Sequence, residues 1–433
     1  MNLFSKENAK GRQNSNYLTY YRNDDPNKTP IAYQNLNFIF KDKQAQKAQT
    51  MALMFLMALP TGQASVSQSP DFDEYLKQVT TVDQIKQLFA KTVDTGIEHG
   101  TVMVIDHGIG YEITTFRTES TYQDFRRPDK VEFVRSLKED LKRRDLTINA
   151  LALRPDGEVI DLFDGLADLE SKTIRAVGQA RERFHEDALR MMRTVRFASQ
   201  LDFEIEAQTL AAIKENAALL AKIALERINV EWVKLMLGKN PKAGLADFMA
   251  TGLFAYCPQF KEHQAQLESL LTIENLHLDN EAEVWTLLAA CFGYRPEQGG
   301  QLVHAWKGSN ELKAQVTKAL RALEAMKAGE LTPKLQYLTG SEMLAVACRV
   351  ARLLGLADYS SMAVLLAYEG LPIHSRAELA INGKDLITLL NLKPGPILGQ
   401  LLDQIEEAVL NRQVKNDKLA LLEYGRSQLE EWG

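Results

Sequence analysis

Hydrophobic and polar positions divide the chain into stretches of different period. Residues 1–50 are rich in Asn, Gln, Lys and Tyr and carry little periodicity, the pattern of a disordered or poorly packed leader. An apolar run follows at residues 51–60. It is half of the roughly 20 residues needed to cross a bilayer. Lys41, Lys43 and Lys47 before it and Ala64-Ser65 after it resemble signal-peptide flanks, but it lies fifty residues into the chain. It reads as a buried strand or a short helix.

From about residue 79 to 163, short β-type runs alternate with turns. Residues 101–105 and 111–116 flank Asp106-His107-Gly108-Ile109-Gly110, which predicts strand–turn–strand. Residues 148–153, Pro155-Asp156-Gly157 and residues 159–163 repeat that arrangement, so a small mixed sheet is expected. Beyond about 167 the period becomes helical. Residues 204–213 and 218–223 place apolar side chains at i, i+3 and i+4, and breaks are expected near Asn240-Pro241, Gly299-Gly300, Leu331-Thr332-Pro333 and Gly370-Leu371-Pro372. The fold class is therefore α+β: a small sheet-containing head, then a long helical remainder with no fixed-period repeat. The expected division is 1–50 leader, 51–165 head, 166–240 neck, 241–330 body and 331–433 tail.

Composition narrows the classes. With 433 residues, 45% hydrophobic and 25% charged, the chain is globular, neither disordered throughout nor collagenous. A net charge of −6 means that any grip on nucleic acid must use a local basic face. The arginine-rich stretch 175–196 is a candidate for it. Cys257, Cys291 and Cys348 form no CxxC pair, which argues against a disulfide framework or a zinc site and fits a reducing cytoplasm. The seven histidines show no HxxxH or HD pairing, so a metal-dependent phosphohydrolase is not supported. Trp232, Trp285 and Trp306 lie in apolar helical surroundings and read as core.

Two segments carry chemistry. Arg143-Arg144-Asp145-Leu146-Thr147-Ile148-Asn149-Ala150 puts two guanidiniums, a carboxylate and a carboxamide at the start of what reads as a strand. Arginine forks suit phosphate oxygens, and Asp or Asn can hold ribose hydroxyls; a solvated charge cluster capping an element fits the same residues. In the second segment, residues 183–198, Asp187, Arg190, Arg193 and Arg196 recur every three residues, on one side if the segment is a single helix. That stripe is either a salt-bridged exposed face or, given Leu189, Met191, Met192, Val195 and Phe197 around it, a buried face aimed at a cleft. In a cleft, the Asp carboxylate accepts from an exocyclic amino group while the Arg donates to a ring nitrogen or carbonyl. Such a pair admits cytosine and adenine and rejects uracil and guanine.

Arg-Arg-Asp-Leu-Thr-Ile-Asn-Ala (143–150), Asp-Gly-Leu-Ala-Asp-Leu (164–169), Glu-Asp-Ala-Leu-Arg (186–190) and Arg-Thr-Val-Arg-Phe-Ala (193–198) resemble bacterial class II tRNA nucleotidyltransferases, the CCA-adding enzymes of the poly(A) polymerase/nucleotidyltransferase superfamily. So do Thr-Gly-Ile-Glu-His-Gly-Thr-Val (95–102), Glu-Ile-Thr-Thr-Phe-Arg (112–117), Tyr-Gln-Asp-Phe-Arg-Arg-Pro-Asp (122–129), Asn-Gly-Lys-Asp-Leu (382–386) and Lys-Pro-Gly-Pro (393–396). The resemblance runs from about residue 79 to the end. It implies addition of C, C and A to tRNA 3′ ends from CTP and ATP, without a template, in the cytoplasm and away from membranes. It implies that Arg144 contacts the nucleotide and that Asp145 and Asn149 line the sugar and phosphate pocket. Asp187 and Arg190 then bond the incoming base, with Arg193 and Arg196 completing the site. The partners implied are tRNA, ATP and CTP; a homodimer is left open.

The head departs from the family before residue 79. A Gly-Gly-x-Val-Arg-Asp turn and an Asp-x-Asp pair holding Mg2+ are implied there, yet residues 61–66 hold one glycine and no Arg-Asp. The nearest acidic pair is Asp71-Phe72-Asp73, two residues earlier than counting back from Thr95-Gly96 predicts. Either the strand has shifted so that Asp71 and Asp73 hold the metal, or an altered reading frame has replaced this segment. Glu112 is a candidate third carboxylate and equally an exposed strand residue. Besides the active transferase, an inactive tRNA- or nucleotide-binding relative and a poly(A) polymerase stay open.

Overall fold

The computed structural model describes residues 82, 83 and 86 and then 91–432, apart from 98–99, 107–108, 120–121, 124–126, 129–130, 134–135, 154–158 and 357–359. The leader, the apolar run at 51–60, Asp71, Asp73 and the turn at 155–157 lie outside the described residues. The chain forms two compact units, one reaching to Ala224 and taking in Gly238–Tyr256, the other built from Leu225–Leu237 and Cys257–Gly433.

The first unit opens on the expected hairpin. β1 (Thr92–Gly96), β2 (Thr101–Asp106) and β3 (Ile109–Thr114) form an antiparallel sheet, with Asp106 paired to Ile109 at the turn. The alternation of Val102 and Val104 with Thr101 and Met103 buries the two valines completely, while Thr101 and Thr114 bond through their hydroxyls at 2.9 Å. Among the described residues the later strands pair two by two. β4 (Arg117–Glu119) pairs with β7 (Val131–Phe133), β5 (Tyr122–Gln123) with β6 (Arg127–Pro128), and β8 (Leu151–Leu153) with β9 (Val159–Asp161), each as a separate antiparallel ladder. The one parallel pair among the described residues is β10 (Thr173–Ile174) with β11 (Glu204–Ile205), so the helix expected over 204–213 begins later.

Five helices of this unit carry or support the arginine segments: α1 (Leu137–Lys142), α2 (Gly165–Glu170), α3 (Ala180–Glu186), α4 (Leu189–Leu201) and α5 (Ala207–Asn216). Ser136 caps α1 by accepting from the Glu139 amide, and Leu137 and Leu141 bury against Ala150 and Val177. A second cluster joins Leu146, Ile148, Leu151, Leu169 and Ile174 to Ala198 and Leu201 of α4. The buried face of α4 therefore locks it onto the segment 146–151.

The chain next supplies α6 (Leu225–Met236) to the second unit and α7 (Pro241–Ala250) to the first. Asn240 caps α7 with Pro241 at the first helical position, as the predicted break requires. Helices α8 (Gln264–Leu270), α9 (Glu281–Cys291), α10 (Pro296–Ala305), α11 (Asn310–Ala328), α12 (Pro333–Thr339), α13 (Ser341–Leu353) and α14 (Ser361–Glu369) continue the second unit. The predicted core tryptophans meet there: Trp232, Trp285 and Trp306 are fully buried, with the Phe260 ring 4.8 Å from Trp232 and 4.7 Å from Trp306. Gly299-Gly300 is not a break but lies inside α10. A Cβ at Gly299 would stand 2.1 Å from the Leu320 side chain and one at Gly300 2.6 Å from the Thr317 hydroxyl, so the pair lets α10 approach α11.

The tail helices are α15 (Gly383–Leu389), α16 (Pro396–Leu410) and α17 (Lys418–Trp432), around Ile373, Leu386, Leu401 and Ile405. Glu406 is buried in α16 and accepts from Lys334 at 2.5 Å, Arg376 at 2.8 Å and the Tyr337 hydroxyl at 3.0 Å. Burial raises its pKa, but these donors outweigh that and hold it down to about 2. The depressed value means the stabilisation is complete above the ordinary 4.5 and disappears as pH falls through about 2. Glu406→Gln is expected to cost about 3 kcal/mol at neutral pH, the low end for a buried ion pair stripped of one partner. Urea melts across pH should show the deficit shrinking only below the ordinary carboxylate range.

Candidate nucleotide site

The segment 143–150 is not a strand entrance. Arg143 ends α1, Leu146 makes an isolated antiparallel bridge to Ala176, and Thr147–Asn149 is one turn of 3-10 helix before β8. Asp168 fixes that turn from below. It is buried, accepts from the Thr147 hydroxyl at 2.6 Å, and is met by Arg175 Nε at 3.1 Å. Asp161 caps the start of α2, accepting from the amides of Phe163, Gly165 and Leu166 at 2.8–3.1 Å. Gly165 permits the contact itself, since a Cβ there would lie 2.3 Å from the Thr147 carbonyl oxygen. Gly165→Ala must push two backbone segments apart, at an expected cost of about 1–3 kcal/mol. Thermal melting of the purified variant checks it; an unchanged melting temperature contradicts it.

The turn delivers a compact polar cluster. Asp145 Oδ1 accepts from the Leu146 amide at 2.9 Å and from Asn149 Nδ2 at 3.1 Å. Its Oδ2 accepts from Arg193 Nε at 2.7 Å and Nη2 at 2.5 Å. Burial alone would raise the Asp145 pKa, yet the Arg193 charge and the bonds from Asn149 and Arg193 hold it below the ordinary value. Asp145 is thus an ionised, acceptor-only group at neutral pH. Arg144, 41% exposed in its side chain, donates from Nη1 to the Asn149 carbonyl at 3.2 Å and from Nη2 to Asp140 at 3.3 Å.

The second arginine segment comes to the same place, though not as one helix. Asp187 ends α3 in extended backbone and accepts from the Leu189 amide at 3.0 Å, so it precedes α4 instead of sharing a face with it. The chain turns at Ala188, which a count of every third residue cannot register. Arg190 is buried and donates to Glu186 at 2.6 Å, to the Arg143 carbonyl at 2.8 Å and to the Arg183 carbonyl at 3.3 Å. Arg193 reaches Asp145. Arg196 is buried too, but it donates to Gln200 at 2.6 Å and lies 3.6 Å from the Phe197 ring centroid. The structure therefore unites Arg144, Asp145, Asn149 and Arg193 through direct bonds, ties Arg190 to the adjoining Arg143 carbonyl, sets Asp187 one turn from Arg190, and gives Arg196 partners of its own on α4.

Glu112 stands on β3 opposite Met103. The proposed metal pair Asp71 and Asp73 falls outside the described residues. Among the described residues no group of three or more His, Cys, Asp or Glu is placed to hold a metal ion, and no helix is long and apolar enough to cross a membrane. Sequence reasoning passed over Asp140, Asp168 and Glu186. Two of them were within reach: Asp140 sits three and four residues before Arg143 and Arg144, and Glu186 four before Arg190.

Comparison with known proteins bears on the same residues. The family model "Poly A polymerase head domain" matches residues 65–175, a model of tRNA nucleotidyltransferase domain 2 matches 276–424, and "Probable RNA and SrmB- binding site of polymerase A" matches 202–264. The head match begins before the expected limit near residue 79, so it takes in Asp71 and Asp73. A CCA-adding enzyme of Ligilactobacillus salivarius is 53% identical over 349 residues, 81% of this chain and 86% of that protein. The chain belongs to the CCA-adding enzymes. A CCA-adding enzyme of Limosilactobacillus reuteri is 56% identical over 340 residues, 78% of this chain and 84% of the other. Among solved structures, the Bacillus stearothermophilus CCA-adding enzyme in complex with CTP superposes with a TM-score of 0.71 at 36% identity, covering 81% of this chain and 86% of that one. The α+β fold and the tRNA nucleotidyltransferase assignment are those of this family.

Proposed function

We propose that this chain adds C, C and A in order to the 3′ end of tRNA, taking CTP and ATP and releasing pyrophosphate without a nucleic-acid template. The observation that carries the reading is the bond between Arg193 and Asp145, 48 residues apart, reinforced by Arg190 on the Arg143 carbonyl. Two segments that the sequence marks separately become one site, one supplying groups for sugar and phosphate and the other the carboxylate–guanidinium pair for a base edge. In this reading Arg144 grips the nucleotide, Asp145 and Asn149 face its sugar and phosphates, Asp187 and Arg190 read the base, and Arg193 holds Asp145 ionised. Arg196 braces α4 behind them. The tail and the basic stretch 175–196 hold tRNA. Asp71 and Asp73 hold Mg2+, which when bound supplies Lewis-acid assistance to attack on the α-phosphate. A cytoplasmic location and a homodimer belong to the same proposal.

One observation favours a second reading, a relative that binds nucleotide and tRNA without transfer. Residues 61–66 hold one glycine and no Arg-Asp where the family's turn is expected. Incubating tRNA lacking its CCA end with labelled CTP, ATP and Mg2+ decides between them. Ordered C, C, A incorporation is expected; retained binding with no incorporation supports the second reading, and extension by A alone would mark a poly(A) polymerase.

A further inference from the structure

Asp140 is 2% exposed, although it lies in the short helix α1 among charged neighbours. A buried carboxylate is costly unless it is fully engaged, and this one is. Its Oδ1 accepts from Arg143 Nε at 2.9 Å, Arg143 Nη2 at 2.7 Å and the Arg117 amide of β4 at 3.3 Å. Its Oδ2 accepts from Arg144 Nη2 at 3.3 Å. Arg143 caps the end of α1 in helical backbone and Arg144 follows it, so the two stand three and four residues after Asp140. Arg143 in turn offers its carbonyl to Arg190, and Arg144 bonds the Asn149 carbonyl. One carboxylate thus ties the head strand β4 to both arginines that border the cluster.

We propose that Asp140 is a positioning residue for the nucleotide: it holds the Arg144 guanidinium, through the Arg143–Arg144 pair, in the orientation that meets the incoming sugar–phosphate. This rests on the reading of Arg144 as a nucleotide contact. A long flexible side chain fixed before the ligand arrives loses less freedom on binding, so the benefit appears as affinity. Because Arg144 and Asp140 lie on the sugar–phosphate side, CTP and ATP must benefit equally.

The test is a double-mutant cycle read by calorimetric titration of CTP and of ATP, each with Mg2+, at a temperature where circular dichroism shows every variant folded. Asp140→Asn is expected to weaken both nucleotides about tenfold, the scale of one charge-assisted hydrogen bond. Arg144→Ala should weaken them at least as much, and the double variant should bind within about twofold of Arg144→Ala alone, because Asp140 acts through Arg144. Asp140→Glu keeps the charge and serves where the amide variant does not fold; it should weaken binding about threefold when Arg144 is intact and not at all when combined with Arg144→Ala. A loss in Arg144→Ala with none in either Asp140 variant overturns the positioning role alone. Additive losses overturn it likewise, since Asp140 would then act elsewhere. Unchanged affinity in Arg144→Ala removes Arg144 from the nucleotide and overturns this inference together with the proposed site.

Discussion

Asp145→Ala should weaken CTP and ATP binding by at least about 100-fold and destabilise the first unit by about 2–3 kcal/mol. The substitution removes the carboxylate that Arg193 bonds and takes the acceptor from the Leu146 amide and Asn149 Nδ2. Removing one member of a fully buried pair costs about 3–5 kcal/mol; the Arg193 side chain is 34% exposed, so water recovers part of that. The affinity loss is larger than the loss of one contact, because Arg193 loses its carboxylate and Asn149 loses the acceptor that holds it in its 3-10 turn. Asp145→Asn keeps the shape but not the charge and should fall between. Acid reports the same group. Its folded pKa lies below the ordinary 3.8, so its contribution is whole above that value and disappears only as pH falls further. The stability gap between parent and Asp145→Ala should therefore stay constant from neutral pH down to about 4 and close below it. Urea melts and nucleotide titrations measure both. Unchanged affinity in a folded Asp145→Ala variant would sink the site.

How far the sequence revealed this depended on whether a local pattern decides the geometry. The hairpin β2–β3 was legible because alternation and a turn suffice to specify it. The breaks at Asn240-Pro241 and Leu331-Thr332-Pro333 were legible because Asn or Thr followed by Pro is local chemistry, and both residues cap the helices that begin there. Asp187 misled because its spacing to Arg190 matches a helix, while its backbone obeys the turn at Ala188 that lets α4 pack on Leu146 and Ile148. Gly299-Gly300 misled for the opposite reason. Its glycines answer to Leu320 and Thr317, 17 or more residues away, and a tertiary contact outweighs their poor helix propensity. The pairing of Asp145 with Arg193 spans 48 residues, and no periodicity could announce it. What the sequence did carry was the resemblance, which marked both segments as belonging to one site.

Asp73→Ala, and Asp71→Ala beside it, should lower CTP and ATP incorporation by about 1,000-fold or more while leaving CTP affinity within about threefold. A carboxylate that holds a catalytic cation supports several kcal/mol of barrier lowering, and each 1.36 kcal/mol is about a tenfold change in rate. In the proposed site affinity resides elsewhere, in Arg144, Asp145, Asn149 and the Asp187–Arg190 turn, so chemistry and binding should separate. Chelation of the divalent ion should reproduce the loss in the parent protein, and added Mg2+ should reverse it there but not in the variants. The head model's match from residue 65 takes in both aspartates. Glu112→Gln is the control on β3. An equal loss there, with Asp71→Ala silent, would move the metal to the third carboxylate and leave the shifted-strand reading without support. A parent that binds CTP and tRNA yet incorporates nothing would mean that the segment before residue 79 no longer supplies the metal pair. Its nucleotide site would then serve only to bind, because the base selection proposed for α3–α4 does not depend on the carboxylates proposed to drive the transfer.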